Sequence, residues 1–379
     1  MSTGRPRILF AGGGTGGHVY PALAIAQAVQ ELVPDAVIEF AGTTTRIEWR
    51  VVPEAGFKIH AVTVSPLHRK LTLRNLSFPV NLLRGLAQSI RLIKSFKPDV
   101  VVGTGGYVAG PVLWAAARAG VPTVLQEQNA FAGKTNKLLS RRAAQVHIAF
   151  DEARDWFPGH TCHLSGNPTR KQLLVPNRAD ARRFFEIAEQ AKVVLVFGGS
   201  LGSAAINAAI AANHEELLKD PDLFLIWQTG KHYYQRYKNQ VTSHERLRLL
   251  EYIDRMDMAY AAADIVVARA GAITCSELEL TGTPAILIPS PNVAEDHQSY
   301  NARSLADDGA AVFLAEKGLE SNISQEIGQT LADTALLERM RARLAKRARP
   351  DAAKVIAKHI LELIGHVPSR PAEKQEGRQ

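Results

Sequence analysis

The chain has 379 residues, 46% of them hydrophobic and 22% charged, with a formal net charge of +8. At roughly 100–200 residues per domain there is room for two full domains, and the balance excludes a disordered chain, a collagen or a disulfide-stapled mini-domain. Two cysteines, Cys162 and Cys275, are too few for a four-thiolate zinc site and fit a reducing compartment. The excess positive charge suits nucleic acid, an anionic membrane face or a phosphorylated substrate, without choosing among them.

In chain order, the polar stretch 1–7 predicts no secretory leader. The pattern then predicts a strand over 7–11, a helix over 21–32, a strand over 37–41 and a helix over 81–96. Further strands are expected over 99–102 and 121–126. Residues 100–117 are free of charge and long enough to span a membrane. The glycines at 103, 105, 106 and 110 and Pro111 instead predict strand, glycine loop and helix, buried as core. The second half repeats the theme with strands over 193–197, 224–228, 265–268 and 285–288 and a helix over 204–216. A helix over 352–364 closes the pattern, and the Pro-, Glu- and Lys-rich segment 367–379 is expected to be a disordered tail. Strands alternating with helices imply an α/β fold with parallel sheets covered on both faces.

An internal echo divides the chain. DVVVGTGG from Asp99 and AGVPTVLQEQN ending at Asn129 recur as DIVVARAG from Asp264 and TGTPAILIPSPN ending at Asn292. The glycine turns ILFAGGGTGGH and VLVFGGSLGS match more loosely. A period this long means two similar domains rather than a solenoid. The expected layout is two doubly wound, Rossmann-like domains, 1–166 and 167–349, facing a cleft. The boundary falls at the GNP turn of Gly166–Pro168, and the helix in 350–365 packs back on the first domain.

Three glycine loops each follow a strand and precede a helix: GGGTGGH (12–18), GTGGY (103–107) and GGSLGS (198–203). Glycine lets backbone approach a ligand, and a helix N-terminus favours an anion. Any one of them could be a tight turn with packing glycines. The first lacks both the Lys-Ser/Thr of a Walker loop and the acidic residue of a dinucleotide fingerprint. Ligands of open parallel sheets bind beyond the carboxyl ends of the strands, so loops on two facing edges suit substrates carrying diphosphates.

Polar groups cluster around these loops. In RAGAITCSELELTGTP, Ala272, Ile273 and Thr274 sit where a strand gives way to a helix. Glu277 could accept both hydroxyls of a ribose, or close a capping box with Thr274 as the cap. DHQSYNA (296–302) suits sugar hydroxyls, or is a polar helix start. His18, at the end of the first loop, could act as general base or simply bond backbone or phosphate. The cluster of His160, Cys162 and His163 fits no zinc spacing, and no Asp-x-Asp motif ends a strand, so neither a metal nor a cofactor is expected. Between 65 and 85, Arg69, Lys70, Arg74 and Arg84 alternate with leucines, Phe78 and Val80. This pattern suits an anionic membrane face, or a loop and helix with one side in the core. Aromatic residues are sparse there, so no nucleic-acid partner is expected.

Taken together, GGGTGGHVYPALAIA, GTGGYVAGP, LQEQNAFAGKTNKLLS, GNPTR, FGGSLGSAAIN, RAGAITCSE and DHQSYNA make the chain resemble the MurG family of glycosyltransferases of bacterial peptidoglycan synthesis. The resemblance runs from Ile8 to about Ile364. It implies a GT-B fold and inverting transfer of N-acetylglucosamine from UDP-N-acetylglucosamine to the 4-hydroxyl of lipid I, the undecaprenyl-pyrophosphoryl-N-acetylmuramyl-pentapeptide. The product would be lipid II, made by a peripheral enzyme on the cytoplasmic face of the cell membrane. By motif, Thr15, Gly16 and Gly17 line the cleft, and Asn129, Arg170 and Ser200 bind the donor. Ile253 lies against uracil. Ala272, Ile273, Thr274, Cys275, Ser276 and Glu277 wrap the nucleotide and sugar, and Gln298 meets the N-acetylglucosamine. Gly105, Gly106 and Tyr107 match the loop attributed to the acceptor diphosphate. Many members carry Gln-Gln in place of His297-Gln298 and Gln-Gly-Ala in place of Leu201-Gly202-Ser203. Rival readings are a UDP-N-acetylglucosamine 2-epimerase and a non-catalytic nucleotide-sugar sensor.

Overall fold

A computed structural model describes residues 4–64, 78–169 and 171–366. The first sheet contains β1 (Arg7–Gly12), β2 (Val37–Gly42), β3 (Lys58–Ala61), β4 (Val100–Gly105), β5 (Thr123–Glu127), β6 (Gln145–Ile148) and β7 (Cys162–Leu164). Its spatial order is β3-β2-β1-β4-β5-β6-β7, every pair parallel. The second sheet contains β8 (Lys192–Phe197), β9 (Leu223–Gln228), β10 (Leu247–Leu250), β11 (Ile265–Ala268), β12 (Ala285–Leu287) and β13 (Val312–Phe313). It is also parallel, in the order β10-β9-β8-β11-β12-β13. Helices cover both faces of each sheet, so central strands such as β4 and β11 are buried along their whole length.

The sequence echo maps onto equivalent places. β4 and β11 each lie beside the first strand of their sheet, at the point where the strand order reverses. The aspartate that opens each echo has a structural task. Asp99 Oδ2 accepts the Arg7 N–H of β1 at 2.7 Å, and Asp264 Oδ2 accepts the Val193 N–H of β8 at 2.8 Å. Each carboxylate thus satisfies a strand-end donor that the ladder leaves unpaired.

The chain crosses between the sheets twice, and the crossings touch at Gly166. Its φ of +83° lies in the left-handed region, and a Cβ there would stand 2.5 Å from Arg349 Cβ. Only glycine fits, on both counts. After the return crossing, the helix Ala352–Leu363 packs on the helix Gly16–Leu32. Ile356, Ala357, Ile360 and Leu361 enter the same core as Ile8, Val19 and Ile25.

The structure corrects several element boundaries. The first helix begins at Gly16, within the glycine run, where Thr15 in an extended conformation accepts from His18 and Val19 N–H. Pro21 reads as a first helical residue because its missing N–H fits there. It lies instead in the second turn, and removes the N–H that would bond the Gly17 carbonyl. The sequence pattern does not predict β3, β6, β7, β10 or β13. These strands have two to four residues, too short for a period, and in the edge strand β3 (KIHA) Lys58 and Ala61 are exposed and Ile59 and His60 half-buried. Residues 100–117 resolve into β4 and the helix Ala109–Arg118, and no helix among the described residues is long and apolar enough to cross a membrane. The segments 65–77 and 367–379, part of the basic stretch and the expected tail, lie outside the described residues.

Candidate active site

At the first switch point, the loops after β1 and β4 are packed backbone to backbone. A Cβ on Gly106, whose φ is +80°, would meet the Gly13 carbonyl oxygen at 2.3 Å. Beneath them lies Glu48, fully buried, which the sequence does not distinguish from an ordinary first-turn acid. Its carboxylate accepts from Gly14 N–H at 2.9 Å, Thr43 N–H at 3.1 Å and the Thr43 hydroxyl at 2.7 Å. One buried carboxylate therefore fixes the glycine loop against the end of β2, and three donors meet its desolvation cost.

His18 stands on the first turn of the helix behind that loop, its ring against Gly105. Nδ1 lies 3.2 Å from Gln128 Oε1, and the Thr104 hydroxyl donates to the His18 carbonyl at 2.8 Å. Burial lowers its pKa; Glu127, the Gln128 side chain and a bond between the ring and the Thr104 backbone oppose that, and His297 adds to it. The ring is therefore held neutral near physiological pH, the form a general base requires. His297 opens the helix His297–Asp307, whose Asn301 bonds residues that follow β5 and β11, so the carboxyl edges of the two sheets stand face to face.

Buried amides join those edges. Asn301, on the helix His297–Asp307, accepts the Ala130 N–H at 2.8 Å and donates to the Ala270 carbonyl at 3.1 Å and to Asn129 Oδ1 at 3.2 Å. Asn167, in the crossing segment, donates to the Gln128 carbonyl at 3.0 Å and to Ser276 Oγ at 3.0 Å. Asn129 itself is held by Glu127, whose carboxylate also accepts from Gly133 N–H and the Asn136 amide.

On the second sheet, Gln228 braces two expected donor elements at once. It donates to the Gly199 carbonyl at 3.1 Å beside Ser200, and accepts the Ile253 N–H at 2.8 Å. Ser200 is exposed at the tip of its loop and Ile253 is buried behind it. The helix Ala272–Thr281 has Gly271 as its N-cap, so Thr274 caps nothing and the capping-box alternative for Glu277 is excluded. Glu277 is the sixth helical residue, its Oε2 accepting the buried Tyr260 hydroxyl at 3.1 Å. Ala272, Ile273 and Thr274 are half-buried and occupy the turn whose N–H groups have no intrahelical acceptor. Cys275 is different. Its thiol is fully buried, burial raises its pKa, and its N–H bonds the Gly271 carbonyl at 2.9 Å, so it serves the core. Ser276 faces Asn167, and Gln298 Oε1 accepts the Ser290 N–H at 2.9 Å. Of the two loops on the first sheet, Thr15, Gly17 and Tyr107 are exposed and Gly16 is half-buried. Arg170 lies outside the described residues.

The model of the glycosyltransferase family 28 N-terminal domain matches residues 8–148, and that of the family's C-terminal domain matches residues 193–356. The chain belongs to glycosyltransferase family 28. A protein of Salinibacter ruber is 52% identical over 363 residues, covering 96% of this chain and 98% of its own. It is named UDP-N-acetylglucosamine–N-acetylmuramyl-(pentapeptide) pyrophosphoryl-undecaprenol N-acetylglucosamine transferase. The crystal structure of MurG from Acinetobacter baumannii superposes with a TM-score of 0.77 at 31% identity, over 95% of this chain and 100% of that one. A UDP-GlcNAc 2-epimerase from Neisseria meningitidis bound to UDP-GlcNAc gives a TM-score of 0.65 at 14% identity, covering 95% and 100%. That likeness shows the shared fold and nothing more. The N-terminal match reaches from β1 to β6 and the C-terminal match from β8 past β13, with the glycine loops 12–18 and 103–107 in the first and 198–203 in the second.

Proposed function

We propose that this chain transfers N-acetylglucosamine from UDP-N-acetylglucosamine to the 4-hydroxyl of the muramyl sugar in lipid I, giving lipid II with inversion at the anomeric carbon. The observation that carries this reading is the 52% identity, over 96% of the chain, with the Salinibacter transferase. The geometry supports it, with glycine loops at both switch points and a neutral imidazole on the first turn of the helix behind the first loop.

In this reading the second domain holds the donor. Glu277 takes the ribose hydroxyls, Ile253 lies against uracil, Gln298 and Asn129 meet the sugar, and Ser200 with residues 272–274 holds the diphosphate. The first domain holds the acceptor, with its diphosphate against Gly105, Gly106 and Tyr107. His18 accepts the proton of the acceptor hydroxyl as that oxygen bonds to the anomeric carbon from the face opposite UDP. The bond from carbon to the diphosphate oxygen breaks, and its electron pair leaves with UDP. Backbone N–H groups and the helix N-terminus at Ala272 stabilise that departing charge. Domain closure aligns the two reactants.

The acceptor's lipid tail requires a membrane surface. Helix Phe78–Phe96 presents Val80, Leu83 and Ile90 to solvent beside Arg84, Arg91 and Lys94. Trp114, also exposed, lies on the neighbouring helix Ala109–Arg118. Apolar groups that enter the interface and cations that pair with headgroups fit a peripheral enzyme on the cytoplasmic leaflet. The test is product analysis with UDP-N-acetylglucosamine in EDTA, with and without a short-chain lipid I analogue. A disaccharide-lipid that forms only with acceptor is expected. Epimerised sugar or UDP released without acceptor would overturn the transferase.

A further inference from the structure

The amides behind His18 are oriented by acceptors that cannot reverse roles. Backbone carbonyls accept and never donate, so a side-chain amide that faces one must present its NH2 group. Asn167 faces the Gln128 carbonyl at 3.0 Å, so its Oδ1 is the atom 2.9 Å from Gln126 Nε2. With its NH2 committed to Asn167, Gln126 turns its Oε1 to the Gln128 NH2 group. That NH2 group also meets the Thr104 carbonyl at 2.7 Å and the Gln126 carbonyl at 3.2 Å. The atom of Gln128 left to face His18 Nδ1, at 3.2 Å, is therefore an oxygen. An amide oxygen only accepts, so Nδ1 carries the hydrogen. In the neutral ring Nε2 then holds the lone pair.

We propose that Gln128 is a positioning residue that holds His18 as the Nδ1–H tautomer with Nε2 as the basic atom, and that Asn167 fixes this orientation from the domain crossing. The inference rests on the reading of His18 as the base. Asn167 also donates to Ser276 Oγ on the donor-site helix at 3.0 Å, so the relay ends on one domain's helix and begins on the other's base. Gln126, Gln128 and Asn167 are each at most 2% exposed, so water does not offer them alternative partners. The charged or titratable neighbours acting on the ring are Glu127 and His297.

The test labels the chain's 12 histidines with 15N and reads two-bond proton–nitrogen spectra at pH 8, with His18→Ala used to assign the His18 signals. Wild type is expected to carry its proton on Nδ1. Gln128→Met removes the acceptor, and should give a mixture of tautomers and a kcat at least about tenfold lower with donor KM within about twofold. Gln128→Glu restores an acceptor, and should recover the Nδ1–H form and move the acidic limb of kcat/KM to higher pH. A wild-type proton on Nε2, or a Gln128→Met enzyme with unchanged tautomer and full kcat, overturns the proposal. Should Gln128→Met fail to fold, the wild-type spectrum still decides. Normal turnover by His18→Ala would remove the base but leave the tautomer assignment standing, so the two failures are distinguishable.

Discussion

His147 should make the first domain acid-sensitive. It lies on β6 with its side chain fully buried, Nδ1 2.7 Å from Ser165 Oγ, and its ring 5.1 Å from that of His163 and 5.4 Å from that of His359. Burial above all, and then the two neighbouring imidazoles, lowers its pKa to about 3. In the unfolded chain the same group titrates near the ordinary value of about 6.5. Between those values the unfolded state binds the extra proton, so stability is full above about pH 6.5 and falls as the pH drops towards 3. The linkage amounts to about 1.4 kcal/mol at pH 5.5 and about 2.7 kcal/mol at pH 4.5. His163, whose pKa is also lowered by burial, adds in the same direction. Because His359 belongs to the helix Ala352–Leu363, the loss should loosen the helix that returns from the second domain. The assay is urea unfolding of wild type and His147→Gln at pH 7.5, 5.5 and 4.5, with hydrogen exchange of residues 352–363 at each pH. Wild type should lose about 1.4 kcal/mol more than the variant between the first two pH values. Equal losses in the two chains would refute a buried neutral His147.

Glu277→Ala should raise donor KM about 10- to 100-fold, the equivalent of one or two charge-assisted hydrogen bonds, while Tyr260→Phe changes it little; isothermal titration with UDP checks both. His18→Ala should lower kcat by about 10²–10⁴ with donor affinity retained, measured at saturating substrates. Gly106→Ala forces a side chain into positive φ and against the Gly13 carbonyl, which should cost about 1–3 kcal/mol of stability and most of the activity, read by thermal melting and turnover. Leu83→Glu with Ile90→Glu should weaken binding to anionic vesicles more than tenfold at any salt, whereas raising the salt on wild type removes only the charge-dependent part; sedimentation with vesicles measures both.

Some errors of sequence reading follow from what local pattern can carry. Pro21 marks a helix start in most settings, and only the packing of Gly16–Leu32 under the cleft places it a turn further in. The pairing of Thr274 with Glu277 has the spacing of a capping box, yet Gly271 takes the cap because β11 ends three residues earlier. Cys275 falls inside the RAGAITCSE motif, and the helical period turns its thiol inward to the core. The short edge strands carry too few residues for periodicity to register.

Strand–glycine–helix units, the tandem echo and the positions of the glycine loops are local or repeated patterns, and the amino-acid order alone determines them. The ordered motifs likewise suffice for the family, because each is short and contiguous. What only the tertiary structure decides is which buried polar groups hold those loops in place. Glu48 reaches Gly14 across 34 residues, Gln128 reaches His18 across 110, and Asn167 reaches Ser276 across 109. No local signal marks such partners. Each becomes necessary only when folding removes water from a donor or acceptor and leaves one distant group in reach to replace it.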